Sequence, residues 1–350
     1  MIVNYPRMRR HRAAWPSDLD TALEFTSTEV FSISAPKNWD GEIEYTNGSG
    51  WQAWDGSEIT SGKNGSDHCI YLRGIGNSKI TGVDSSGAKW NIIGTNIACN
   101  GDIDLLLDYS TVKGGNRPSM ARYCYSYMFY GCTSLTAAPS LPATTLTGNC
   151  YSSMFRGCTS LTATPSLPAT TLTYHCYSYM FYGCTSLTAT PSLPATTLAN
   201  YCYSSMFRGC TSLTATPSLP ATTLTYHCYS YMFYGCTSLT ATPSLPATTL
   251  TNYCYYSMFY GCTSLTAAPS LPATTLTGNC YNSMFRGCTK IKLSTTASGT
   301  YTKAYRIPKN GTGTTASNAL NSMFANTGGT FIGTPEINTT YYLDESNTIV

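Results

Sequence analysis

Charge is scarce in this sequence, and one long stretch has no acidic side chain at all. Only 11% of the 350 residues are charged, whereas roughly 25% is usual in a soluble protein. All 17 Asp and Glu residues lie in the segment that ends at Asp108 or in the segment that begins at Glu336, so residues 109–335 contain none. A catalytic pair of carboxylates, or a calcium site built from them, is therefore excluded from that stretch.

Other absences exclude further classes of protein. No apolar run approaches the roughly 18 residues of a membrane span, and the composition does not fit collagen, a coiled coil or a charged disordered chain. A net charge of +3 is too small for a general nucleic-acid binder. The sequence has no P-loop, dinucleotide fingerprint, nucleophile elbow or C-x-x-C pair. We therefore predict a protein that is not an enzyme and that uses no cofactor, metal or nucleic acid.

The N-terminus lacks the apolar stretch that follows the basic start of a secretory signal. We expect a chain that is intracellular, mature and already cleaved, or released by lysis. Residues 1–17 form a basic arm whose positive charges include Arg7, Arg9, Arg10 and Arg12. Three interpretations of the arm stay open: a solvated segment, an anchor that docks on another protein, or a weak contact with nucleic acid, since four arginines neutralise few phosphates.

Cysteine is abundant, and its spacing reveals an internal repeat. Fourteen of the 16 cysteines form seven pairs, in which the first members are 26 residues apart and the second follows eight residues later. The first members, which we take as position 0 of units 1–7, are Cys124, Cys150, Cys176, Cys202, Cys228, Cys254 and Cys280. Residues 173–198 and 225–250 are identical. A fixed period of this length predicts a solenoid, in which each coil packs on its neighbours.

Comparison of the units indicates which positions are buried. Positions 0, +1, +4, +5 and +8 are constant, whereas −1, +2, +3 and +6 vary. On a helix the constant positions fall within about 140° of arc, which predicts a short amphipathic helix that ends near a left-handed Gly131. The alternation from Leu135 to Pro139 predicts a short strand that ends at the proline, and Leu141 and Leu146 should point inward. We therefore predict an α/β solenoid, a right-handed stack of coils with one short strand and one short helix each, whose parallel strands form a narrow sheet.

The residues that recur in every unit carry a family resemblance. In unit 1 they are Met128-Phe129, Cys132, Ser134-Leu135 and Leu141-Pro142, and a worn copy follows at 321–327. This sequence pattern resembles the BspA-like leucine-rich-repeat family, named after Bacteroides surface protein A. Similar patterns occur in proteins of gut bacteria and their phages. The resemblance covers about half of the chain. It implies a leucine-rich-repeat fold and an adhesion or binding role with varied partners, and it implies no catalytic residue.

The segments that flank the repeats differ from them in composition. All five tryptophans precede residue 100, and alternating runs between residues 20 and 100 are separated by turn signals such as Asn47-Gly48, which predicts an antiparallel β domain. We divide the chain into the arm (1–17), a β-rich attachment domain (18–102), the seven-unit solenoid with its N-terminal cap (103–293), and a C-terminal cap and tail (294–350). Residues 103–109 indicate a short helix or cap, 290–293 a terminal strand, 294–318 a loop, and 331–350 a last strand and tail.

The repeat cysteines have one structural and two chemical interpretations. On a helix, Cys124 and Cys132 lie about 12 Å apart, beyond the roughly 7 Å that a disulfide spans. Reduced thiols that fill the core are therefore favoured, with disulfides between units or a metal site as alternatives. At position −1, His175 and His227 have no carboxylate close in the sequence to complete a triad. We interpret these histidines as solvated.

Positions +3 and +6 carry tyrosine and arginine on the face that we predict to be exposed. We define the Tyr–Arg ridge as Tyr127, Tyr130, Arg156, Tyr179, Tyr182, Arg208, Tyr231, Tyr234, Tyr260 and Arg286. Tyr and Arg are enriched among the residues that dominate binding energies at interfaces. The ridge is therefore a candidate binding site. The alternative is lateral packing, in which each arginine stacks on a tyrosine of the next coil.

Rows of threonine mark the predicted strand face. Position +12 is threonine in units 1–6, and units 2–5 add a second threonine at +14. The +12 row is Thr136, Thr162, Thr188, Thr214, Thr240 and Thr266. Ordinary strand propensity explains such rows. A glycan or protein ligand on this face, or ordered water in ice binding, are the alternatives.

Our leading hypothesis is a non-enzymatic structural or binding protein at the surface of a phage virion: a tail or head fibre, or a decoration protein. Its N-terminal region would contact other virion proteins, its solenoid would bind a host-surface glycan or protein, and it could form homo-oligomers. The alternative is a secreted bacterial cell-surface adhesin of the BspA-like type. A third class, a hydrolase, would have to use N-terminal carboxylates that form no motif, namely Asp40, Glu42, Glu44, Asp55 and Glu58.

Overall fold

The computed structural model describes residues 15–83 and 85–350, so the arm residues Arg7, Arg9, Arg10 and Arg12 lie outside the described residues. The described ranges hold one α-helix, α1 (Leu105–Lys113), two short 3-10 helices (Leu19–Thr21 and Ser86–Ala88) and 17 short strands. The strands are β1 (Leu23–Ser27), β2 (Ser32–Ser34), β3 (Glu42–Thr46), β4 (Gln52–Ala53), β5 (Ile59–Thr60), β6 (Gly62–Asn64), β7 (Asp67–Ile75), β8 (Asn91–Ile93), β9 (Ile97–Asn100), β10 (Leu135–Ala137), β11 (Ala267–Ala268), β12 (Thr275–Leu276), β13 (Leu293–Ser294), β14 (Tyr301–Arg306), β15 (Thr314–Thr315), β16 (Thr340–Asp344) and β17 (Thr348–Ile349).

The N-terminal region consists of the antiparallel sheets that its sequence predicts. Strand β7 pairs with β1 and β3, and β1 also pairs with β9. A second sheet has the order β5-β2-β8. Alternate residues of β1 point inward, so Leu23 and Phe25 are buried, as expected when one face of a strand covers a core.

The core of this region continues into unit 1. The Trp54 ring lies 5.2 Å from the Trp39 ring and 5.2 Å from the Trp90 ring, and Trp90 lies 6.3 Å from Phe129 of unit 1. The backbone N–H of Trp90 donates to the Met128 carbonyl at 2.8 Å, and β9 pairs in parallel with β10 of unit 1. The N-terminal region therefore covers the apolar side of the first unit, which a repeat array needs at its end.

The sequence predicts a short helix in each unit, and this prediction is wrong. Between Tyr125 and Cys132, every second N–H bonds to the carbonyl three residues earlier, as Met128 N does to Tyr125 O at 3.2 Å. The N–H groups between them donate to the next unit, as Tyr125 N does to Cys150 O at 2.8 Å. Positions −1, +3 and +7 have positive φ in all seven units, with 60° at Tyr127. An α-helix keeps its hydrogen bonds within one segment and excludes left-handed residues.

The helix prediction fails for a geometric reason. The observed turns repeat every four residues, and the constant positions 0, +4 and +8, like +1 and +5, are four apart. They face the same side in a four-residue repeat and in a helix of 3.6 residues per turn, so the hydrophobic pattern cannot distinguish the two. The left-handed glycine is confirmed, since Gly131 has a φ of 71°. The serine at +2, predicted to be exposed, is instead fully buried at Ser126 and Ser178.

Identical side chains of successive units lie directly on one another. The phenylalanine rings at +5 form a column from Phe129 to Phe285, with neighbouring centroids 5.5–5.7 Å apart, and Phe324 extends it by 5.5 Å. The tyrosine rings at +1 form a second column from Tyr125 to Tyr281 at 5.6–5.9 Å. Each such aromatic pair contributes about 0.5–1.5 kcal/mol beyond its burial. These columns and the buried Met and Cys side chains belong to one core that spans the units.

The continuous parallel sheet predicted on the strand side of the units is also wrong. Strand β10 lies in unit 1, and β11 of unit 6 pairs with β17 rather than with another unit. In the described backbone of units 2–5, this side has isolated parallel bridges, between Thr171 and Thr197 and between Thr223 and Thr249. Prolines at +15 and +18 cannot donate hydrogen bonds, which prevents a regular ladder. The leucines nevertheless point inward as predicted, since Leu141 and Leu146 are buried.

The C-terminal region covers unit 7. The Phe285 N–H donates to the Met323 carbonyl at 3.0 Å, so residues 321–327 continue the pattern as the worn copy that the sequence indicates. Strand β16 pairs with both β13 and β14, and Leu293 of β13 is buried together with Ile291. The prediction of a loop over 294–318 is wrong, because β14 and β15 lie within it. Their strand partners are remote in sequence, so local composition does not reveal them.

Candidate binding surface

The Tyr–Arg ridge is a continuous, half-exposed row across the units. The guanidinium carbon of Arg156 lies 5.6 Å from the Tyr130 ring and 4.5 Å from the Tyr182 ring. Arg208 repeats this arrangement two units later, 5.5 Å from Tyr182 and 4.3 Å from Tyr234. Rings and cations therefore alternate without a gap from unit 1 to unit 5.

The tyrosines at +3 widen the ridge. Tyr179 lies 6.1 Å from Tyr182 and 5.4 Å from the Arg156 guanidinium carbon, and Tyr231 bears the same relation to Tyr234 and Arg208. Tyr127 lies 5.6 Å from Tyr130. At the far end, Tyr260 stacks on Tyr234 at 4.5 Å, and the Arg286 guanidinium lies 5.6 Å from Tyr260. The lateral contacts that the sequence allowed are present, and they leave part of every ridge side chain exposed.

No carboxylate neutralises the ridge arginines. Residues 109–335 contain 11 Lys and Arg residues and no Asp or Glu. Among the described residues, the ion pairs are those of Arg73 and Arg117. The guanidinium groups of Arg156, Arg208 and Arg286 donate no hydrogen bond to a described residue, and Nε of Arg286 is buried without a partner. A guanidinium has five N–H donors, so these groups can donate to a ligand.

A second aromatic row, which was not predicted from the sequence, lies at position −1. We call it the His–Tyr row. Its rings stack from unit to unit: His175 on Tyr201 at 4.5 Å, Tyr201 on His227 at 4.8 Å, and His227 on Tyr253 at 4.5 Å. Tyr226, which is 37% exposed, meets Tyr201 edge-on at 5.4 Å.

The interpretation of the row's histidines as solvated is wrong. Both are only partly exposed and lie between aromatic rings. Nδ1 of His227 is 3.1 Å from the Ser230 hydroxyl, and burial lowers the pKa of His227 to about 4. At neutral pH His227 is therefore an uncharged stacking ring.

Tyr256 connects the two rows. Its ring lies 5.5 Å from Tyr253 of the His–Tyr row and 5.1 Å from Tyr231 of the Tyr–Arg ridge. Burial is the main reason that the pKa of Tyr231 is raised to about 12, so this hydroxyl stays protonated and can donate a hydrogen bond. The aromatic residues at −1 in four consecutive units, with tyrosine at −2 in units 3 and 5, were the signal that would have revealed the second row.

The threonine rows have partners within the chain. The Thr266 hydroxyl donates to the Thr240 carbonyl at 3.2 Å, and Thr240 and Thr214 donate in the same way to the preceding unit at 3.5 Å. In units 2–5 these threonines do not lie on a strand. The flat strand rows that the ice-binding alternative needs are therefore absent from these units.

The cysteines occupy the interior. All 16 are free and buried, which confirms reduced core packing. The thiols at +8 donate to a carbonyl of the preceding unit, as Cys210 does to Phe181 O at 3.1 Å. Burial raises the pKa of Cys184 to about 12, so its thiolate is negligible at neutral pH. Within the described ranges, no group of three or more His, Cys, Asp or Glu side chains could hold a metal ion.

The N-terminal carboxylates that a hydrolase would need have partners that hold the fold. Asp40 accepts from the Ser78 hydroxyl at 2.6 Å and from the Ser78 backbone N–H at 2.9 Å. Glu44 pairs with Arg73 at 2.8 Å, and Asp55 accepts from the Ser57 N–H at 2.9 Å. Glu42 and Glu58 are exposed on the surface. The structure does not bring these five acids together around one cleft.

The repeated unit and its buried leucines define the class of this protein. Leu135, Leu141 and Leu146 and their equivalents face a core of stacked units, as in leucine-rich repeats. The family model of the BspA type leucine rich repeat region, with six copies, matches residues 112–240 and 204–306. These matches together span more than half of the chain, which therefore belongs to this family. Its repeats indicate a surface or binding protein.

No curated protein and no solved structure matches the chain. Over residues 15–83 and 85–350, no helix is both long enough and apolar enough to cross a bilayer.

Proposed function

We propose that the protein is a non-enzymatic attachment protein that binds a ligand on a cell surface through the Tyr–Arg ridge. The observation that carries this proposal is the alternation of Tyr and Arg over successive units, half-exposed and without a neutralising acid. Arginine and tyrosine are the residue types that most often dominate binding energies. The absence of carboxylates from 109–335 leaves the repeat region without the acid–base pair that a hydrolase needs.

The shape that we infer for this attachment protein is an elongated solenoid. The hydrogen bonds from each unit to the next and the unbroken Phe and Tyr columns support it, because each unit contacts only its neighbours. A row of identical positions then becomes a line along one side of the stack. The N-terminal β region, which covers unit 1, is the part that we assign to contacts with a larger structure.

The setting in which the protein is displayed distinguishes two forms of this proposal. The family favours a bacterial cell-surface adhesin. The virion component expected from the sequence, a fibre or decoration protein, would use the same ridge on a phage particle. Gold-labelled antibody against the repeat units, applied to cells and to purified particles, assigns the setting. If neither the cells nor the particles are labelled, the proposal that the protein is displayed on a surface is contradicted.

Attachment itself is tested by the binding of labelled full-length protein to host cells. The triple substitution Tyr130→Ala, Tyr182→Ala and Tyr234→Ala should reduce cell binding at least about tenfold, which corresponds to 1.4 kcal/mol. The matched Tyr→Phe triple keeps the rings and should retain most binding. The thermal transition of the alanine variant shows whether it is folded. If a folded alanine variant binds cells as well as the wild type does, the ridge is not the attachment site.

A further inference from the structure

We propose that the ligand of the Tyr–Arg ridge is a linear polysaccharide that carries carboxylate or sulfate groups. This inference rests on the attachment function proposed above and specifies the chemistry of its ligand. It follows from three features of the ridge: its unbalanced positive charge, its unused hydrogen-bond donors and its regular spacing.

The charge of the chain is divided between its parts. Residues 109–335 carry 11 cations and no acid, although the whole chain has a net charge of only +3. The remainder is therefore acidic overall. A surface of one sign attracts a ligand of the opposite sign over about a Debye length, 8–10 Å at moderate salt. Three of these cations, Arg156, Arg208 and Arg286, lie in the ridge, so the ridge is suited to an anionic partner.

The ridge arginines are held in place but not used by the protein. The guanidinium carbons of Arg156 and Arg208 each lie between tyrosine rings, 4.3–5.6 Å from the ring centres, and these contacts restrict the movement of both side chains. Neither donates a hydrogen bond to a described residue. A fixed guanidinium with free N–H groups is complementary to a carboxylate or sulfate, which accepts two parallel hydrogen bonds.

The spacing of these cations favours a polymer. Arg156 and Arg208 are two units apart, so an intervening Tyr182 separates them by about twice the distance between stacked rings. The same alternation begins at Tyr130 and reaches Tyr234. A linear chain with one anionic group in each repeating segment can meet several of these sites in register, and each additional contact raises the avidity through effective concentration.

The geometry argues against nucleic acid, the other common polyanion. Bases bind single-strand proteins by stacking on free aromatic faces. Along the ridge, Arg156 lies over the faces of Tyr130 and Tyr182, and Arg208 lies over Tyr182 and Tyr234. These faces are occupied. The exposed edges offer hydrogen bonds and charge, which suit the acidic and hydroxyl groups of a sugar chain.

The test measures the affinity of the full-length protein, by surface plasmon resonance, for four immobilised probes. These are heparin for sulfate, polygalacturonate for carboxylate, dextran as a neutral polysaccharide, and an oligo-dT strand. We expect heparin or polygalacturonate to bind, with affinity that falls as salt rises. The probe that binds more tightly identifies the anionic group. Binding to dextran or oligo-dT that equals the binding to both acidic polysaccharides would overturn the proposal.

Variants assign the binding to the ridge. Arg156→Gln with Arg208→Gln should weaken acidic-polysaccharide binding at least about tenfold. The control, Lys113→Gln with Lys309→Gln, removes the same charge from two exposed sites outside the ridge and should change affinity less than about twofold. Equal effects of the two pairs would contradict the assignment. If the wild type binds host cells through the ridge tyrosines but no acidic polysaccharide, this inference fails while attachment stands. If it binds neither, both fail.

Discussion

The guanidinium carbon of Arg156 lies 4.5 Å from the centre of the Tyr182 ring, which belongs to the next unit. This contact joins two units through their side chains, beside the backbone hydrogen bonds that already connect them. It also fixes the guanidinium with its N–H groups unused by described residues. Packing and binding, which the sequence left as alternatives, are therefore compatible uses of the same side chains.

The stacked arginines should stabilise the protein measurably. Arg208 lies within 5.5 Å of three rings, those of Tyr182, Tyr231 and Tyr234. Each cation–π contact at a half-exposed site contributes about 0.5–1 kcal/mol. We expect Arg208→Ala to lower the free energy of unfolding by about 1–2 kcal/mol in urea titrations. Lys309→Ala, at an exposed site without such contacts, should have almost no effect, and an equal loss there would refute the cation–π explanation.

The glycine at +7 should be required because of its left-handed backbone conformation and not because a side chain would lack space. Gly235 has a φ of 72°, and an added Cβ would meet no atom within 4 Å. Gly235→Ala therefore costs the strain of a left-handed residue, roughly 1–2 kcal/mol, without a steric clash. The comparison is Gly87→Ala, whose site has no positive φ and should tolerate alanine. A Gly235→Ala variant as stable as the wild type in urea would show that the turn relaxes.

The thiols should resist chemical modification in the folded protein. Burial raises the pKa of Cys176, Cys184 and Cys288 to about 12, so the reactive thiolate is scarce at pH 8. We expect DTNB to label almost none of the 16 cysteines at pH 8, and all of them after unfolding in guanidinium chloride. Rapid labelling of many thiols without denaturant would mean that the columns open readily.

Asp104 should make the stability depend on pH. Its carboxyl accepts from the Tyr125 hydroxyl at 3.1 Å and from Arg117 at 3.4 Å. Burial, reinforced by the negative charge of Asp102, raises its pKa to about 6. The folded protein holds this proton more tightly than the unfolded chain does. The stabilisation from the protonated carboxyl is therefore fully present below pH 3.8 and is lost as the pH rises through 6.

The substitution Asp104→Asn removes this titration. Between pH 4 and pH 7, the free energy of unfolding of the variant should rise relative to that of the wild type by on the order of 2–3 kcal/mol. The free energies are read from urea titrations at each pH. Parallel stability curves for the two proteins would show that Asp104 titrates normally.

His227 should change the stability with pH in the direction opposite to Asp104. Burial lowers its pKa to about 4, so between pH 4 and pH 6.5 the unfolded chain binds the proton and the folded protein does not. Its contribution is present above pH 6.5 and is lost as the pH falls through 4. His227→Gln should flatten this part of the curve. A steeper loss of stability in the variant would disprove the assignment.

Much of this molecule could be predicted from the sequence. The sequence predicts the 26-residue period and the burial of the constant Cys, Tyr, Met and Phe positions. It also predicts the left-handed Gly131, the antiparallel N-terminal region and the worn copy at 321–327. Comparison of the units with one another was sufficient, because a residue that never changes among stacked copies is usually held by its neighbours. The chain's lack of acids over 109–335 was equally visible.

The tertiary structure decided what the periodicity could not. A four-residue turn and a 3.6-residue helix bury the same five constant positions, and the hydrogen bonds from one unit to the next and the left-handed residues distinguish them. The His–Tyr row and its link through Tyr256 depend on ring contacts between neighbouring units, which the linear sequence does not show. The order of residues along the chain establishes which side chains repeat. Their stacking into columns and into one charged aromatic surface was settled in three dimensions, since the hydrogen bonds and ring contacts that hold them run between units and not along the chain.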